Sequence, residues 1–175
     1  MKIFKFYTGL KIVVTALAIT TCSAFATHPN LVITQSDVEK MRSALNQSGR
    51  FNDRYLELKH HVDQQLAFGV VVPLPKDGGG GYSHERHKKN YQLMYGAGII
   101  YQLSQEQKYA DFVRDMLLEY AALYPTLDVH PKRKVKSQNP GKLFWQSLNE
   151  AMWLVYTIQA YDLIIETLTD QDIND

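Results

Sequence analysis

The chain has 175 residues, with 19 Lys and Arg against 18 Asp and Glu and a single Cys. Hydrophobic residues make up 45% of it, enough for one packed domain, and one cysteine leaves no internal disulfide to hold that domain together. A formal net charge of +1 excludes general affinity for nucleic acid, which needs a strong excess of basic residues.

Residues 1–26 are predicted to be a cleaved secretory signal. The positively charged start is formed by Lys2, Lys5 and Lys11. Residues 12–19 follow as an apolar run that is too short to cross a bilayer, and no other run predicts a membrane span. Ala24-Phe25-Ala26 offers a cleavage site, so we expect a mature chain that begins near Thr27 in the periplasm or outside the cell. Cys22 leaves a lipoprotein as an alternative, although the threonines before it match that signal poorly.

Half of the basic residues of the mature chain lie in two clusters. Removal of the signal leaves 16 basic against 18 acidic residues, a net charge of about −2. The clusters are Arg86, Lys88 and Lys89, and then Lys132, Arg133, Lys134, Lys136 and Lys142. Local positive charge on a nearly neutral domain favours an anionic ligand, with two solvated basic surfaces as the alternative.

Every periodic stretch of the mature chain predicts a helix. We expect helices over about 35–46, 52–68, 84–103, from 107 to about 124, and over 140–169, with a further start at Thr169. Three caps are predicted, namely Thr34 with Asp37, Ser83, and Ser104 with Gln107. The small residues 96–98 predict a close helix approach. The fold class is therefore all-α, built from antiparallel helical hairpins.

Two further features, a loop and a histidine pair, bear on ligand binding. A loop over 69–82 contains four consecutive glycines at 78–81, but it lacks the spacing of a phosphate-binding loop. We interpret it as a flexible loop beside a site, or as a plain linker. His84 and His87 have a spacing that permits a metal site, but no third ligand is evident and two neighbouring lysines would repel a cation. We therefore expect no metal site.

The run 140–169 is predicted to be the helix around which the domain is organised. At about 100° per residue it separates into two faces. One face is apolar and carries Leu143, Phe144, Leu148, Ala151, Met152, Leu154, Val155, Ile158 and Ile165. The other combines aromatic rings, amides and an ammonium, and carries Lys142, Trp145, Gln146, Asn149, Trp153 and Tyr156. Such groups suit a wall that binds sugar, while a helix buried all round is the alternative.

Four segments together resemble a known family. They are HPNLVITQSDVEKMR, GGGGYSHERHKKNY, KYADFVRDMLLEYAALYPTL and NPGKLFWQSLNEAMWLVYTIQAYD. This pattern is similar to the alginate lyases, and most of all to the exolytic oligoalginate lyases of the heparinase II/III-like group. The resemblance covers nearly all of residues 28–170, and its last segment is the most specific.

The resemblance implies a fold and a reaction. Residues 27–175 would be the N-terminal portion of an incomplete α/α toroid, apparently truncated, which an antiparallel β-sandwich follows in a complete member. The reaction would be β-elimination at a uronate of alginate oligosaccharides, which needs a neutralised carboxylate, a base and an acid. The catalytic residues are expected beyond Asp175, as is the zinc site that the β-sandwich can hold, so no cofactor is expected here. The 175 residues alone are expected to be inactive, and the resemblance also allows a homodimer of the complete protein.

The resemblance also assigns residues to the substrate cleft. Its wall would contain Lys136, Ser137, Lys142, Gln146 and Asn149, with Trp145 and Tyr82 as rings that stack on a sugar. In this assignment Lys136 meets a uronate carboxylate, and Asn149 meets a hydroxyl or a carboxylate.

Two other functions remain open from the residues themselves. A non-catalytic module that binds acidic oligosaccharides would keep Lys136 and Asn149 without a catalytic half, and a helical scaffold would have no affinity for sugar. A truncated toroid would in addition leave one apolar flank of the helix over 143–165 uncovered, which favours self-association.

Overall fold

The computed structural model describes residues 27–133 and 139–174, and every regular element within them is helical. The helices are α1 (Gln35–Leu45), α2 (Arg50–Leu66), α3 (Tyr82–Ser104), α4 (Gln107–Leu123), α5 (Ser147–Ile164) and α6 (Asp170–Asn174). Short 3-10 turns extend α4 over Tyr124–Thr126 and α5 over Ile165–Thr167. The all-α prediction is confirmed, while closure into a toroid stays a prediction. None of these helices is both long enough and apolar enough to cross a membrane.

Local hydrogen bonds at two helix starts follow the sequence prediction. Thr34 accepts the N–H of Asp37, and the Asp37 carboxylate accepts the N–H of Thr34 in return, which completes a capping box before α1. Thr169 and Asp172 exchange the same pair of bonds before α6. Both caps need only residues three apart in the chain, so neighbouring residues determine them.

Helix α3 lies at the centre and contacts α1, α2, α4 and α5. Close approach depends on two of its glycines, as predicted. A Cβ built on Gly98 would lie 2.9 Å from Leu163 Cδ1 and 3.0 Å from Leu163 Cβ on α5, and one on Gly96 would lie 3.3 Å from Leu58 Cδ1 on α2. These two glycines set how near the flanking helices come to α3.

Two predicted caps are wrong. Helix α3 begins at Tyr82, so Ser83 lies inside it, and the Asp77 carboxylate accepts the Ser83 N–H at 2.9 Å. The start of α4 has no side-chain cap from Ser104, because α3 continues through that residue. Gln105 then reverses the chain with a φ of +60°. A helix that the core holds together overrides a local capping pattern.

The predicted organising helix differs most from the structure. Only α5, from Ser147 onward, is helical, and residues 140–146 form an irregular segment. The two faces are also reversed. Trp153 is 6% exposed in the core and Tyr156 stacks on Tyr91 of α3 at 5.0 Å between ring centroids. The apolar face is largely exposed, with Leu148 at 72% and Met152, Leu154, Val155 and Ile158 between 43% and 48%.

This reversal has a physical cause. The aromatic face of α5 packs on rings of two other helices. Tyr156 contacts Tyr91 and Tyr95 of α3, and Trp153 contacts Tyr120 of α4, so these large rings are removed from water. Trp153 and Tyr156 are therefore core residues rather than part of a sugar-binding wall. The expected uncovered apolar flank is confirmed within the part of the chain that the structure describes.

Polar groups fasten the outer segments to this core. Asp162 of α5 is buried and accepts the backbone N–H groups of Asn30 and Leu31 at 2.8 and 2.9 Å. Its hydrogen bonds with these amides and with His28 hold the pKa of its carboxyl below the usual range, although burial opposes this. The segment before α1 is thereby fixed against α5, more than 130 positions away in the chain.

Candidate functional site

A tight glycine turn lies next to the start of α3. The Gly81 N–H donates to Gly78 O at 3.0 Å, and Gly80 has a φ of +82°. A Cβ on Gly81 would lie 2.3 Å from the Asp77 Cβ, so only glycine fits there. Ser83 is fully buried and accepts the N–H groups of Lys76 and Asp77, which anchors the first half of the turn. The loop predicted as flexible is therefore pinned at its base.

The glycine turn and the segment 139–146 form one surface. The indole of Trp145 lies against the turn, because a Cβ on Gly78 or Gly79 would lie 4.0 and 3.8 Å from its ring atoms. Tyr82, the first residue of α3, is 65% exposed on the same turn. The structure thus brings Trp145 to the glycine turn and leaves Tyr82 exposed next to it, while their role as stacking rings stays a prediction.

Gln146 and Asn149 lie together at the start of α5. Both side chains are half-buried, and Asn149 Nδ2 donates to Gln146 Oε1 at 3.4 Å. At that length the bond is weak, so the amides remain available to other partners. Lys142 extends over the ring of Tyr124, with Nζ 5.4 Å from the centroid. Lys136 and Ser137, the other two predicted wall residues, lie outside the described residues.

The chain closes a loop at the edge of this surface. His130 donates its N–H to Gly141 O at 2.9 Å, and Ser147 donates to Asn139 O at 3.0 Å. The buried His130 ring accepts the Lys132 N–H through Nδ1, and burial holds its pKa below the usual range. These bonds join His130 to Gly141 and Asn139 to Ser147, close in the chain to Trp145 and Gln146.

The electrostatics of this surface favour an anion. Within the described residues, several cations near the two loops have no ion-pair partner, namely Lys76, Lys132, Arg133 and Lys142. The nearby Asp77 carboxylate is held by Ser83, and those bonds together with Lys76 and Lys132 lower its pKa. Basic side chains without acidic partners leave a positive field on this surface.

A histidine layer supports the surface from inside. His84 and His87 both pack on Phe144, with ring centroids 5.1 and 5.8 Å apart. This contact with a buried phenyl ring explains the H-x-x-H spacing as packing. Within the described ranges, no group of three or more His, Cys, Asp or Glu side chains is arranged to hold a metal ion.

One buried cluster has the residue types of acid–base chemistry. The Tyr120 hydroxyl lies 2.9 Å from His87 Nδ1 and 3.0 Å from Asn90 Nδ2. All three side chains are almost completely buried, and burial raises the pKa of Tyr120. A polymeric sugar has no access to such a cluster, so these residues stabilise the core rather than serve as catalytic groups.

Sequence reasoning missed the residue that shapes the 139–146 segment. The Glu150 carboxylate accepts N–H groups from Leu143 and Phe144 and the hydroxyl of Tyr124. Burial and the bond to Glu150 raise the pKa of Tyr124 to about 12. The available signal was Gly141, whose lack of a side chain makes room for the carboxylate.

A large apolar groove borders this surface, because Pro140, Gly141 and Glu150 are among the residues that line it. It encloses about 670 Å³ between α4 and α5 and is lined by Leu117, Leu118, Ala121, Ala151, Leu154 and further residues. None of Tyr82, Lys142, Trp145, Gln146 and Asn149 lines it. Most of the lining is apolar, so the groove suits helix packing better than a carbohydrate.

Sequence comparisons show which proteins the chain is related to. The chain is 48% identical over 145 residues to an exo-oligoalginate lyase of Saccharophagus degradans, a match that covers 83% of this chain and 19% of that relative. It is 40% identical over 144 residues to an alginate lyase of Stenotrophomonas maltophilia, covering 82% of the chain and 19% of the relative. No family profile matches the sequence. The chain belongs to the alginate lyase family and spans about a fifth of the length of these relatives.

Proposed function

We propose that this chain forms part of the substrate cleft of an alginate lyase that cleaves alginate oligosaccharides by β-elimination. The single observation that carries the proposal is the surface on which Trp145 lies against the glycine turn, beside Lys142, Gln146 and Asn149. A flat ring, two amides and unpaired cations match the faces, hydroxyls and carboxylates of a uronate. The two relatives named as alginate lyases support the choice of ligand.

The catalytic groups are proposed to lie outside these 175 residues. Elimination needs an acid and a base at the surface, together with a group that neutralises the uronate carboxylate. Tyr91 and Tyr120 do not meet this need because they are buried, and no hydrogen bond among the described residues joins the Tyr82 hydroxyl to a base. The chain alone is therefore proposed to bind the sugar without cleaving it. By resemblance, a zinc site and a β-sandwich would belong to the part of these relatives that the chain does not span.

The test combines binding with turnover. The chain from residue 27 onward is mixed with polymannuronate and its oligomers, and the ultraviolet absorbance of the unsaturated uronate product is followed alongside calorimetric titration. We expect a flat absorbance trace and measurable binding. Lys136→Ala and Asn149→Ala should each raise Kd about tenfold to a hundredfold, because a charge-assisted hydrogen bond contributes about 1.5–3 kcal/mol.

A matched control separates a specific contact from general charge. Lys40 lies on α1 and is exposed, so Lys40→Ala removes the same charge away from the surface. Its Kd should stay within about twofold of that of the wild type. Absorbance that grows with protein concentration and is lost in Tyr82→Phe would contradict the inactive fragment. Equal loss of affinity in the Lys40 variant would contradict the assigned surface.

A non-catalytic module that binds acidic oligosaccharides is the second candidate, because the same surface would serve it. The coding sequence downstream of codon 175 separates the two. A continuing open frame with an Asn-His pair and a tyrosine supports the lyase, whereas a genuine stop codon supports the binding module.

We also propose that the protein is exported. The proposal rests on the lysine-rich start, the apolar run and Ala24-Phe25-Ala26, all of which lie outside the described residues. N-terminal sequencing of the exported protein should begin near Thr27. Recovery of the protein from the cytoplasm with Met1 intact would contradict export.

A further inference from the structure

Glu150 is engaged through both of its carboxylate oxygens. Oε2 accepts the backbone N–H groups of Leu143 at 3.2 Å and Phe144 at 3.3 Å, and Oε1 accepts the Tyr124 hydroxyl at 2.6 Å. No cation pairs with this carboxylate among the described residues. Its partners lie six, seven and 26 positions away in the chain, so it joins the start of α5 to the preceding turn and to the end of α4.

Gly141 makes this arrangement sterically possible. A Cβ at Gly141 would lie 1.7 Å from Glu150 Oε2 and 2.7 Å from the backbone oxygen of Phe144. Any other residue would displace the carboxylate or open the turn. The Glu150 carboxylate therefore occupies the space that a side chain at position 141 would fill. We call this pair of residues, with the hydrogen bonds of Glu150, the lock.

The lock determines which side chains of the turn face inward. Leu143 and Phe144, whose amides bind Glu150, have buried side chains at 1% and 0% exposure. Lys142, Trp145 and Gln146 remain partly exposed on the same short stretch. The residues proposed to face the sugar are therefore held by a carboxylate that does not itself lie among them.

A negative charge is an unexpected choice next to a site for an anionic sugar. Coulomb repulsion from Glu150 should weaken binding of a uronate, so its charge does not explain its presence. Its role as a double acceptor for backbone N–H groups does explain it. A turn that is already in the bound shape loses less conformational entropy when the ligand arrives.

We infer that Glu150 is the positioning residue of the sugar-binding surface, presetting the turn 141–146 that carries Lys142, Trp145 and Gln146. The inference rests on the proposed function. Glu150 does not touch the sugar and acts only through the backbone of the turn. Glutamine should largely replace it, because one carbonyl oxygen still accepts both N–H groups and the Tyr124 hydroxyl can accept from the amide instead.

The experiment measures affinity and local order separately. Wild type, Glu150→Gln and Glu150→Ala are compared by calorimetric titration with alginate oligosaccharides, and by amide hydrogen exchange at Leu143 and Phe144 without sugar. We expect Glu150→Ala to raise Kd at least tenfold and to speed exchange at those two amides at least tenfold. Glu150→Gln should stay within about threefold of wild type in Kd, and exchange in α3 should be unchanged in both variants.

Asp162 supplies a matched control. It is also a carboxylate on α5 that accepts two backbone N–H groups, but it fixes residues 30 and 31 instead of the turn. Asp162→Ala should lower the melting temperature and leave Kd unchanged. This variant measures the effect on melting temperature and Kd of losing a carboxylate that has only a structural role.

Each result has a distinct meaning. Wild-type affinity in Glu150→Ala, despite faster exchange, overturns the positioning role, and unchanged exchange overturns the lock itself. Weak binding by Glu150→Gln equal to that of Glu150→Ala shows that charge rather than hydrogen bonding matters, which also overturns the inference. Absence of binding by the wild type overturns the proposed function, and the positioning role with it.

Discussion

At the scale of single residues, His87 shows how burial controls protonation. Its side chain is fully buried, with Nδ1 at 2.9 Å from the Tyr120 hydroxyl and its ring on Phe144. Burial lowers the pKa of His87 to about 4, and the nearby rings of His84 and His130 act in the same direction. The folded protein therefore keeps this imidazole neutral at a pH where the unfolded chain would protonate it.

The free energy of unfolding should fall as the pH drops from about 6.5 to about 4. Over this range the unfolded chain binds a proton at His87 that the folded chain does not, so acid favours unfolding. The pKa difference corresponds to about 3 kcal/mol. Burial also lowers the pKa values of His84 and His130, which adds to the loss below pH 6.5.

Urea unfolding at several pH values tests this. His87→Gln should lose markedly less stability than wild type between pH 7 and pH 4. His61→Gln, on an exposed position of α2, is the control and should follow the wild-type curve. Identical pH dependence in wild type and His87→Gln would contradict the assignment.

At the scale of elements, the contact between α3 and α5 depends on Gly98. A Cβ there meets Leu163 at Cβ as well as Cδ1, and an atom next to the backbone cannot rotate away. Gly98→Ala should therefore destabilise the fold by about 1–3 kcal/mol through overpacking, reduced by up to about 1 kcal/mol because alanine favours helix.

Gly96→Ala on the same helix is the matched comparison. It gains the same helix propensity, but its Cβ would meet only terminal methyl groups, Leu58 Cδ1 at 3.3 Å and Val62 Cγ2 at 3.5 Å. Its stability should stay within about 1 kcal/mol of wild type in thermal unfolding. A Gly96 variant that is less stable than the Gly98 variant would contradict this account of the α3–α5 contact.

At the scale of the whole molecule, the outer side of α5 is open. Leu148, Leu154, Val155 and Ile158 are each roughly half or more exposed, and the groove of about 670 Å³ against α4 adjoins them. The two acidic residues of α5 are engaged elsewhere, Glu150 with the turn and Asp162 with the N-terminal segment, so this face carries no charge. An uncharged apolar face of this size favours association.

The chain from residue 27 should therefore self-associate in a concentration-dependent way. Leu148→Lys combined with Val155→Lys should shift the sedimentation profile toward the monomer. Association would have to remove both ammonium groups from water, which costs free energy. Leu56→Lys, on an exposed position of α2, serves as control and should leave the profile unchanged. A monomeric wild type at high concentration would contradict the expectation.

The sequence by itself determined the local features. Helical periodicity identified the helices to within a few residues at most ends. A helix with one buried face needs apolar residues at every third or fourth position, and this spacing is visible in the sequence. The boxes at Thr34 and Thr169 were predictable because each closes between residues three apart. Gly96 and Gly98 indicated close packing because small residues have few other uses in a helix interior.

Only the tertiary structure decided which side of α5 faces the core and where the candidate surface lies. Periodicity separates two faces of a helix but does not indicate which face packs on a neighbouring helix. Here the aromatic face of α5 packs on α3, while its apolar face is exposed. Asp77, Glu150 and Asp162 likewise appear in the sequence as ordinary acidic residues. Their roles depend on backbone N–H groups that folding brings close from six to more than 130 positions away, and no local pattern encodes such contacts.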